Sequence, residues 1–198
     1  MTRMPTKPLA AVAAAFALVA PAFAQDAPAR APTTFVGGDA ITSETGADVA
    51  EMIRVADAID AGVDAKDWER TRSYFTDTIT VDFSSLVGGE PATIPADGLM
   101  TGWSTNLTEE KTSFHQRSNH LVTFDGPDRA TMTSQGYAWN RYPPGAEEAN
   151  GGSDLWEVWG TYGHAFTRTE EGWKVNAMSL EVHNQRGNGF VRDTVPGS

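Results

Sequence analysis

The clearest pattern of apolar and polar positions lies just after residue 45. Apolar side chains recur there at helical spacing, which predicts an amphipathic helix over 46–61 that ends at Gly62. A second, shorter helix is expected over 65–75. Asp64 lies at the joint between the two helices. The pattern leaves two roles open for it, as the N-cap of the second helix or as a polar group that faces a pocket.

Strand patterns replace the helical spacing further along the chain. The β-branched segment 78–85 predicts a strand, the sequence VGGEPATI predicts a turn, and residues 95–107 predict a third helix. Four longer β-rich segments follow, at 112–124, 129–142, 155–169 and 173–185. Helices followed by a run of antiparallel strands predict an α+β fold, with a curved antiparallel sheet wrapped around the N-terminal helices as a cone-shaped α+β barrel. The mouth of such a sheet is a usual small-molecule site.

Residues 1–24 have the pattern of a secretory signal peptide. Arg3 and Lys7 precede an apolar run, and the small residues of AFA come just before Gln25. The run is short for a membrane span, so we expect cleavage, a periplasmic or secreted protein and no stable membrane insertion. A retained anchor is the alternative. The rest of the chain is expected to form a flexible linker (25–45), one domain (46–185) and a loose C-terminal tail (186–198).

Charge and composition exclude several classes of binding partner and of catalytic chemistry. The formal net charge is −11, and removal of Arg3 and Lys7 with the signal segment makes it −13. An acidic chain is poorly suited to bind nucleic acid or anionic lipid. The chain has no cysteine, which excludes disulfides, thiol nucleophiles and thiolate metal sites. Its four histidines lack the spacing of a metal site, so we expect neither a metal nor another cofactor.

Several segments within 46–185 resemble the SnoaL-like branch of the nuclear transport factor 2-like superfamily. They are GVDAKDW at the helix joint, ITVDFSSL, SFHQRSNHLV and GTYGHAFTRTEEGWKV. Members of this superfamily include scytalone dehydratase, hexachlorocyclohexane dehydrochlorinase and ketosteroid isomerase. The resemblance implies a curved sheet around a deep pocket, with assembly into dimers or trimers. A shared fold does not by itself imply a reaction.

The resemblance also implies roles for two residues. In the dehydratase and the dehydrochlorinase, an aspartate at the helix joint holds a histidine that acts as the base, and the matching residues here are Asp64 and His115. A neutral imidazole with one nitrogen bound to a carboxylate has a fixed tautomer and a free lone pair. The carboxylate also stabilises the imidazolium that forms on proton abstraction. Such a dyad suits an elimination, a dehydration or an isomerisation without a cofactor.

Other polar and aromatic residues are candidates for shaping the pocket. Strand alternation places Asn119 on the same face as His115 and places His120 on the opposite face. Four aromatic residues are expected to line an apolar pocket for a cyclic ligand: Phe83, Tyr137, Trp139 and Tyr162. An equally good reading is that aromatic residues simply favour strands and fill cores.

The sequence lacks several side chains that complete the active sites of these relatives. The segment 136–142 has no histidine where the dehydratase has its second one. Phe83 stands where the dehydratase has a tyrosine and where the isomerase has its catalytic aspartate. We therefore expect a lyase, dehydratase or isomerase-type pocket for a different small cyclic or apolar molecule. The alternative is a non-catalytic ligand-binding or oligomerisation module of the same fold, and a homo-oligomer, a dimer or trimer, is expected in either case.

Overall fold

The computed structural model describes residues 28–35, 37–144 and 152–193, so the expected signal peptide lies outside the described residues. The helices are α1 (Gly46–Asp64), α2 (Trp68–Arg72), α3 (Ser84–Val87), α4 (Ala96–Asn106) and α5 (Gly189–Asp193). The strands are β1 (Phe75–Asp82), β2 (Ala92–Pro95), β3 (Thr112–Phe124), β4 (Arg129–Arg141), β5 (Leu155–Thr169) and β6 (Gly172–Gly187).

The six strands form one curved, unclosed sheet in the order β2-β1-β6-β5-β4-β3. Strands β1 and β6 are parallel, and every other neighbouring pair is antiparallel. Helix α1 packs against one face of this sheet, which we call the inner face; the opposite face is the outer face. The predicted α+β class, with a curved sheet around N-terminal helices, is confirmed.

The core lies between α1 and the inner face of the sheet. The apolar stripe of α1 is fully or almost fully buried: Val49, Met52, Val55, Ala56 and Ile59. It packs against inner-face side chains that include Met132, Phe166 and Val175. Burial of such a stripe stabilises the fold through the hydrophobic effect, at about 25 cal/mol per Å² of apolar surface. The helix is thereby fixed along the sheet, and its last turn reaches β3.

Helix α1 continues past Gly62, so the prediction that Gly62 ends it is wrong. The helix ends two residues later in a Schellman motif, in which Asp67 N–H donates to Gly62 O at 2.9 Å and Lys66 N–H donates to Val63 O at 3.1 Å. Lys66 adopts the left-handed φ of 59° that this motif needs. Gly62 has a packing role instead, because a Cβ there would lie 2.2 Å from Thr71 Oγ1 of α2.

The first strands also differ from the predicted elements. Strand β1 begins three residues before the predicted 78–85, so Phe75 is buried in a strand and not in α2. The predicted turn VGGEPATI overlaps strand β2, which pairs antiparallel with β1. Pro91 precedes this short edge strand and Pro95 is its last residue. Proline cannot donate to a strand ladder, which is why the sequence pattern indicated a turn.

The linker and the tail are docked on the domain where the structure describes them. Pro32 O accepts a hydrogen bond from Ser179 Oγ at 2.7 Å on the outer face. Asp39 N–H donates to Val122 O at 2.7 Å along the free edge of β3. At the other end, Val191 of α5 is fully buried beside β4 and β5. The expectations of a flexible linker over 25–45 and a loose tail over 186–198 therefore do not describe these residues.

Candidate active site

A cavity with two adjoining chambers lies between the inner face of the sheet and helices α1, α3 and α4. The inner chamber has a volume of about 130 Å³ and the outer chamber about 400 Å³. Both chambers are lined by Phe83, Leu86, Trp103, Leu107, His115, Tyr162 and Leu180. A mostly apolar lining with few polar groups is the usual composition of a small-molecule site.

The structure brings Asp64 and His115 into direct contact at this cavity. Asp64 Oδ1 lies 2.7 Å from His115 Nδ1, and Asp64 Oδ2 accepts the backbone N–H of His115 at 2.7 Å. Both side chains are about four-fifths buried, at 18% exposure for His115 and 20% for Asp64. Two bonds from one carboxylate to one residue fix both the strand position and the ring plane.

The position of Asp64 in α1 is unfavourable for a carboxylate unless a partner compensates it. Asp67, and not Asp64, is the N-cap of α2, because its side chain accepts Arg70 N–H at 3.1 Å. Asp64 belongs to the last turn of α1, where the helix dipole disfavours a negative charge. The N-cap role is thus excluded for Asp64, and the hydrogen bonds from His115 provide the compensation.

The protonation of this pair follows from its surroundings. Burial by itself would raise the pKa of the Asp64 carboxyl, but the hydrogen bonds and charge of His115, with a hydrogen bond from Ser113, outweigh burial and lower that pKa. An ionised Asp64 only accepts hydrogen bonds, so Nδ1 of His115 must carry the proton. In the neutral imidazole, Nε2 then holds the lone pair. Nε2 has no hydrogen-bond partner in the described part of the chain.

Lys66 extends the polar network behind Asp64. Its Nζ donates to Ser113 Oγ at 2.7 Å. Burial lowers the pKa of Lys66, while Asp64 and Glu109 act to raise it. Neither Lys66 nor Ser113 is among the residues that line the two chambers, and the ammonium adds positive charge near the Asp64 carboxylate.

Asp64 is one of three α1 carboxylates that contact β3. One turn earlier along α1, Asp60 receives Arg117 Nη2 on Oδ1 at 2.6 Å and Arg117 Nε on Oδ2. One turn before that, Asp57 Oδ1 lies 3.4 Å from His120 Nε2. The helical spacing of the aspartates matches the spacing of the strand residues, so polar contacts join the last turns of α1 to β3.

Arg117 and Tyr162 form the polar wall of the inner chamber. The Arg117 side chain is 1% exposed, and its guanidinium carbon lies 3.8 Å from the centre of the Tyr162 ring. Burial raises the pKa of Tyr162 to about 12, with Asp60 and Asp64 adding to the shift and Arg117 opposing it. The phenol therefore stays protonated at neutral pH and is available as a hydrogen-bond donor.

The structure divides the aromatic candidates between the two faces of the sheet. Phe83 and Tyr162 line the cavity. Tyr137 and Trp139 lie on the outer face, away from His115: Tyr137 donates to Glu157 Oε1 at 2.6 Å, and Trp139 stacks on Phe114 with 5.9 Å between ring centroids. The register explains this placement, because His115 pairs with Ala138, and it is Ala138 and Asn140 that line the outer chamber.

A β-bulge in β3 reverses the faces expected for Asn119 and His120. Asn119 has a left-handed φ of 54°, and the pairing with β4 shifts between Ser118 and Leu121. The extra residue shifts the alternation by one position. Asn119 consequently lies on the exposed side, where Nδ2 donates to Gln135 Oε1 at 2.5 Å, and His120 turns inward toward Asp57. The structure does not bring Asn119 to the cavity.

The sequence pattern did not single out the Asp60–Arg117 pair as part of the site. The spacing of these residues in the sequence could have indicated the pair. Asp60 precedes Asp64 by four residues on a helix, and Arg117 follows His115 by two residues on a strand. Each spacing keeps the side chains on one face. The described residues contain no group of three or more histidines, aspartates or glutamates that could hold a metal ion. None of the described helices is long and apolar enough to cross a membrane.

Residues 44–179 match the SnoaL-like domain family, which is more than half of the chain. The protein therefore belongs to this family, and the resemblance inferred from its sequence is confirmed. None of the curated proteins compared with the chain matches it.

Solved structures extend this comparison. The Kfla4162 protein from Kribbella flavida is 30% identical, with a TM-score of 0.69 over 75% of this chain and 99% of that one. A provisionally assigned scytalone dehydratase from Novosphingobium aromaticivorans is 15% identical, with a TM-score of 0.63 over 74% and 92%. The hexachlorocyclohexane dehydrochlorinase LinA-type3 from Novosphingobium barchaimii is 14% identical, with a TM-score of 0.60 over 73% and 92%. The last two similarities establish a shared fold.

Proposed function

We propose that this protein is a cofactor-free enzyme of lyase, dehydratase or isomerase type that removes a proton from a small cyclic or apolar molecule. The observation that carries the proposal is the Asp64–His115 pair. Its 2.7 Å contact occupies Nδ1 of the ring, while His115 lines both chambers of an apolar cavity. The fold shared with a dehydrochlorinase and a provisionally assigned dehydratase is consistent with this chemistry.

In this mechanism His115 is the general base and Asp64 orients it. Nε2 takes a proton from a carbon of the bound molecule, and Asp64 stabilises the resulting imidazolium through Nδ1–H. In an elimination, the electron pair of the broken C–H bond forms a double bond and a leaving group departs from the neighbouring carbon. In an isomerisation, Nε2–H returns the proton to a different carbon.

The cavity lining supports this role for His115. Phe83, Trp103 and Leu180 surround the space next to the ring. An apolar lining limits competition from water and strengthens electrostatic interactions within the site. The neutral Tyr162 phenol and the Arg117 guanidinium are the polar groups available for substrate orientation within the inner chamber.

The test is turnover by the wild type and by His115→Gln across a panel of cyclic β-halo, β-hydroxy and unsaturated ketone compounds. We expect at least one compound to be converted, and we expect the variant to lose about 100-fold or more in kcat at an unchanged melting temperature. His183→Gln is the matched control, since His183 is exposed on the outer face. Full activity in His115→Gln would contradict the mechanism.

A second candidate function is binding of a small molecule without chemistry. The placement of Asn119, Tyr137 and Trp139 outside the cavity favours it, because the lining then lacks three of the side chains that were expected to orient a substrate. In this case an apolar ring compound such as indole would raise the melting temperature equally in the wild type, Asp64→Asn and His115→Gln. A shift confined to the wild type would argue against a purely binding role.

We further propose that the protein is exported and forms a homo-oligomer. The N-terminal sequence pattern supports export, and N-terminal sequencing of the secreted or periplasmic protein is the test, with Gln25 as the expected first residue. The exposed Phe114 and its stacked partner Trp139 support a contact between copies on the outer face. Analytical ultracentrifugation tests this, and a monomer at all concentrations would contradict it.

A further inference from the structure

His164 is a titratable residue in the core that has no part in the proposed mechanism. It lies on β5 between Tyr162 and Phe166, and its ring stacks on Phe166 with 5.8 Å between ring centroids. The residue is fully buried, and neither Nδ1 nor Nε2 has a hydrogen-bond partner within the described part of the chain. The residues paired with it on β4 and β6, Met132 and Met178, are buried as well, so apolar packing holds the ring.

A proton taken up by this ring would destabilise the folded state. An imidazolium carries a positive charge and two N–H donors, and neither nitrogen has an acceptor among the described residues. A buried charge without a counterion and a buried donor without an acceptor are both unfavourable. Burial accordingly lowers the pKa of His164 well below its ordinary value of 6.5. The ring is therefore neutral at neutral pH in the folded protein.

The charged groups in this part of the core also oppose protonation of His164. The titratable groups that α1, β3 and β5 contribute there are Asp57, Asp60, Asp64, Arg117, His120 and Tyr162. The positive charges of Arg117 and of protonated His120 lower the pKa of His164 further. The nearby carboxylates already have other partners, because Asp60 accepts hydrogen bonds from Arg117 and Asp57 lies 3.4 Å from His120 Nε2. The neighbours on β4 and β6 are the two uncharged methionines.

We propose that His164 makes the layer between α1 and the inner face sensitive to acid, because its imidazole takes up a proton when this layer opens to water. In the open state the hydrated ring regains its ordinary pKa of about 6.5. The closed state binds fewer protons, so it is most stable above pH 6.5 and loses stability as the pH falls below that value. His120, whose pKa is also lowered by burial, acts in the same direction. Since α1 carries Asp64, opening also separates this carboxylate from His115.

The test measures hydrogen–deuterium exchange of the α1 amides, with each observed rate divided by the intrinsic rate at the same pH. This quotient gives the equilibrium constant for opening. Between pH 7 and pH 5 we expect the constant to rise roughly 10- to 30-fold more in the wild type than in His164→Phe, which keeps a buried ring but cannot take up a proton. No rise in the wild type, or an equal rise in both proteins, would overturn the inference.

Two further variants separate His164 from the other histidines. His183→Gln removes an exposed histidine and should open as the wild type does. His120→Gln should keep the pH dependence that belongs to His164, and loss of the entire dependence in this variant would overturn the inference. If His164→Phe does not fold, nitrogen-15 NMR of the wild type decides. The His164 ring is expected to stay neutral at pH 5 in the folded protein, and a protonated ring would overturn the inference. None of these measurements depends on turnover, so they leave the role of His115 to its own test.

Discussion

Asp64 accepts two hydrogen bonds from His115, one from the ring Nδ1 and one from the backbone nitrogen, each at 2.7 Å. The same carboxylate therefore sets the rotamer of the ring and the position of β3 relative to α1. This double contact supports the proposal that His115 is a base held in one orientation.

Replacement of Asp64 by asparagine is expected to change the tautomer of His115. An amide no longer requires the proton to stay on Nδ1, so the Nε2-protonated form should become populated. Nitrogen-15 NMR of the histidine ring measures this without a substrate. Asp67→Asn is the control, since Asp67 caps α2 and does not contact His115. Identical ring signals in wild type and Asp64→Asn would contradict the assigned hydrogen bond.

The contribution of Asp64 to stability is expected to disappear in acid. Its pKa is lowered in the folded state, so the ionised carboxylate stabilises the fold above the unfolded value of about 3.9. This contribution is lost as the pH falls through the folded pKa. Urea unfolding of wild type and Asp64→Asn between pH 5 and pH 2 should show a difference that narrows below about pH 4. A difference in unfolding free energy that stays constant down to pH 2 would contradict a lowered pKa of Asp64 in the folded state.

The Asp60–Arg117 pair should show strong coupling in stability. Asp60→Leu alone or Arg117→Met alone leaves a buried charge without its partner and is expected to cost about 3–5 kcal/mol of unfolding free energy. The double variant should cost much less than the sum, because no unpaired charge remains. A double-mutant cycle by chemical denaturation measures the coupling. Additive effects would mean that the two side chains do not interact in solution.

The close packing of Gly62 against Thr71 predicts that a larger residue at position 62 destabilises the protein and that a smaller residue at position 71 restores its stability. Gly62→Ala is expected to destabilise the protein by about 1–3 kcal/mol, because its Cβ would lie 2.2 Å from Thr71 Oγ1. Thr71→Ala in the same chain should recover much of that loss. Gly98→Ala is the control: Gly98 lies in α4, and a Cβ there has no neighbour within 4 Å. This control should stabilise by about 0.5–1 kcal/mol, and thermal unfolding compares all four proteins.

The long strands were predictable from the sequence because their alternation and their turns are regular. The predicted bounds of 112–124 and 155–169 agree with β3 and β5. The face on which a side chain lies was less predictable. One bulge residue, Asn119, reverses the alternation within β3, and neither β-branching nor polarity in SFHQRSNHLV marks it.

The assignment of Tyr137 and Trp139 to the pocket failed for a related reason. Large aromatic residues on alternate positions of a strand suggest an apolar interior, but here the small residues face inward. A Cβ on Gly136 would lie 2.2 Å from the ring of Tyr162, so Tyr162 of the neighbouring strand fills that space. Only the register between β4 and β5 reveals this, and register is set by contacts distant in sequence. Asp64 and His115, by contrast, were found through a family resemblance at two motifs.

The most direct test of the central claim is hydrogen–deuterium exchange at the α-carbon of small cyclic ketones such as 2-tetralone, followed by proton NMR in D₂O. This measurement detects proton abstraction itself and needs no leaving group. The account predicts exchange well above the buffer rate with wild type, lost in His115→Gln and retained in His183→Gln. Exchange by His115→Gln at the wild-type rate, or no exchange by wild type across a panel of such ketones, would contradict it.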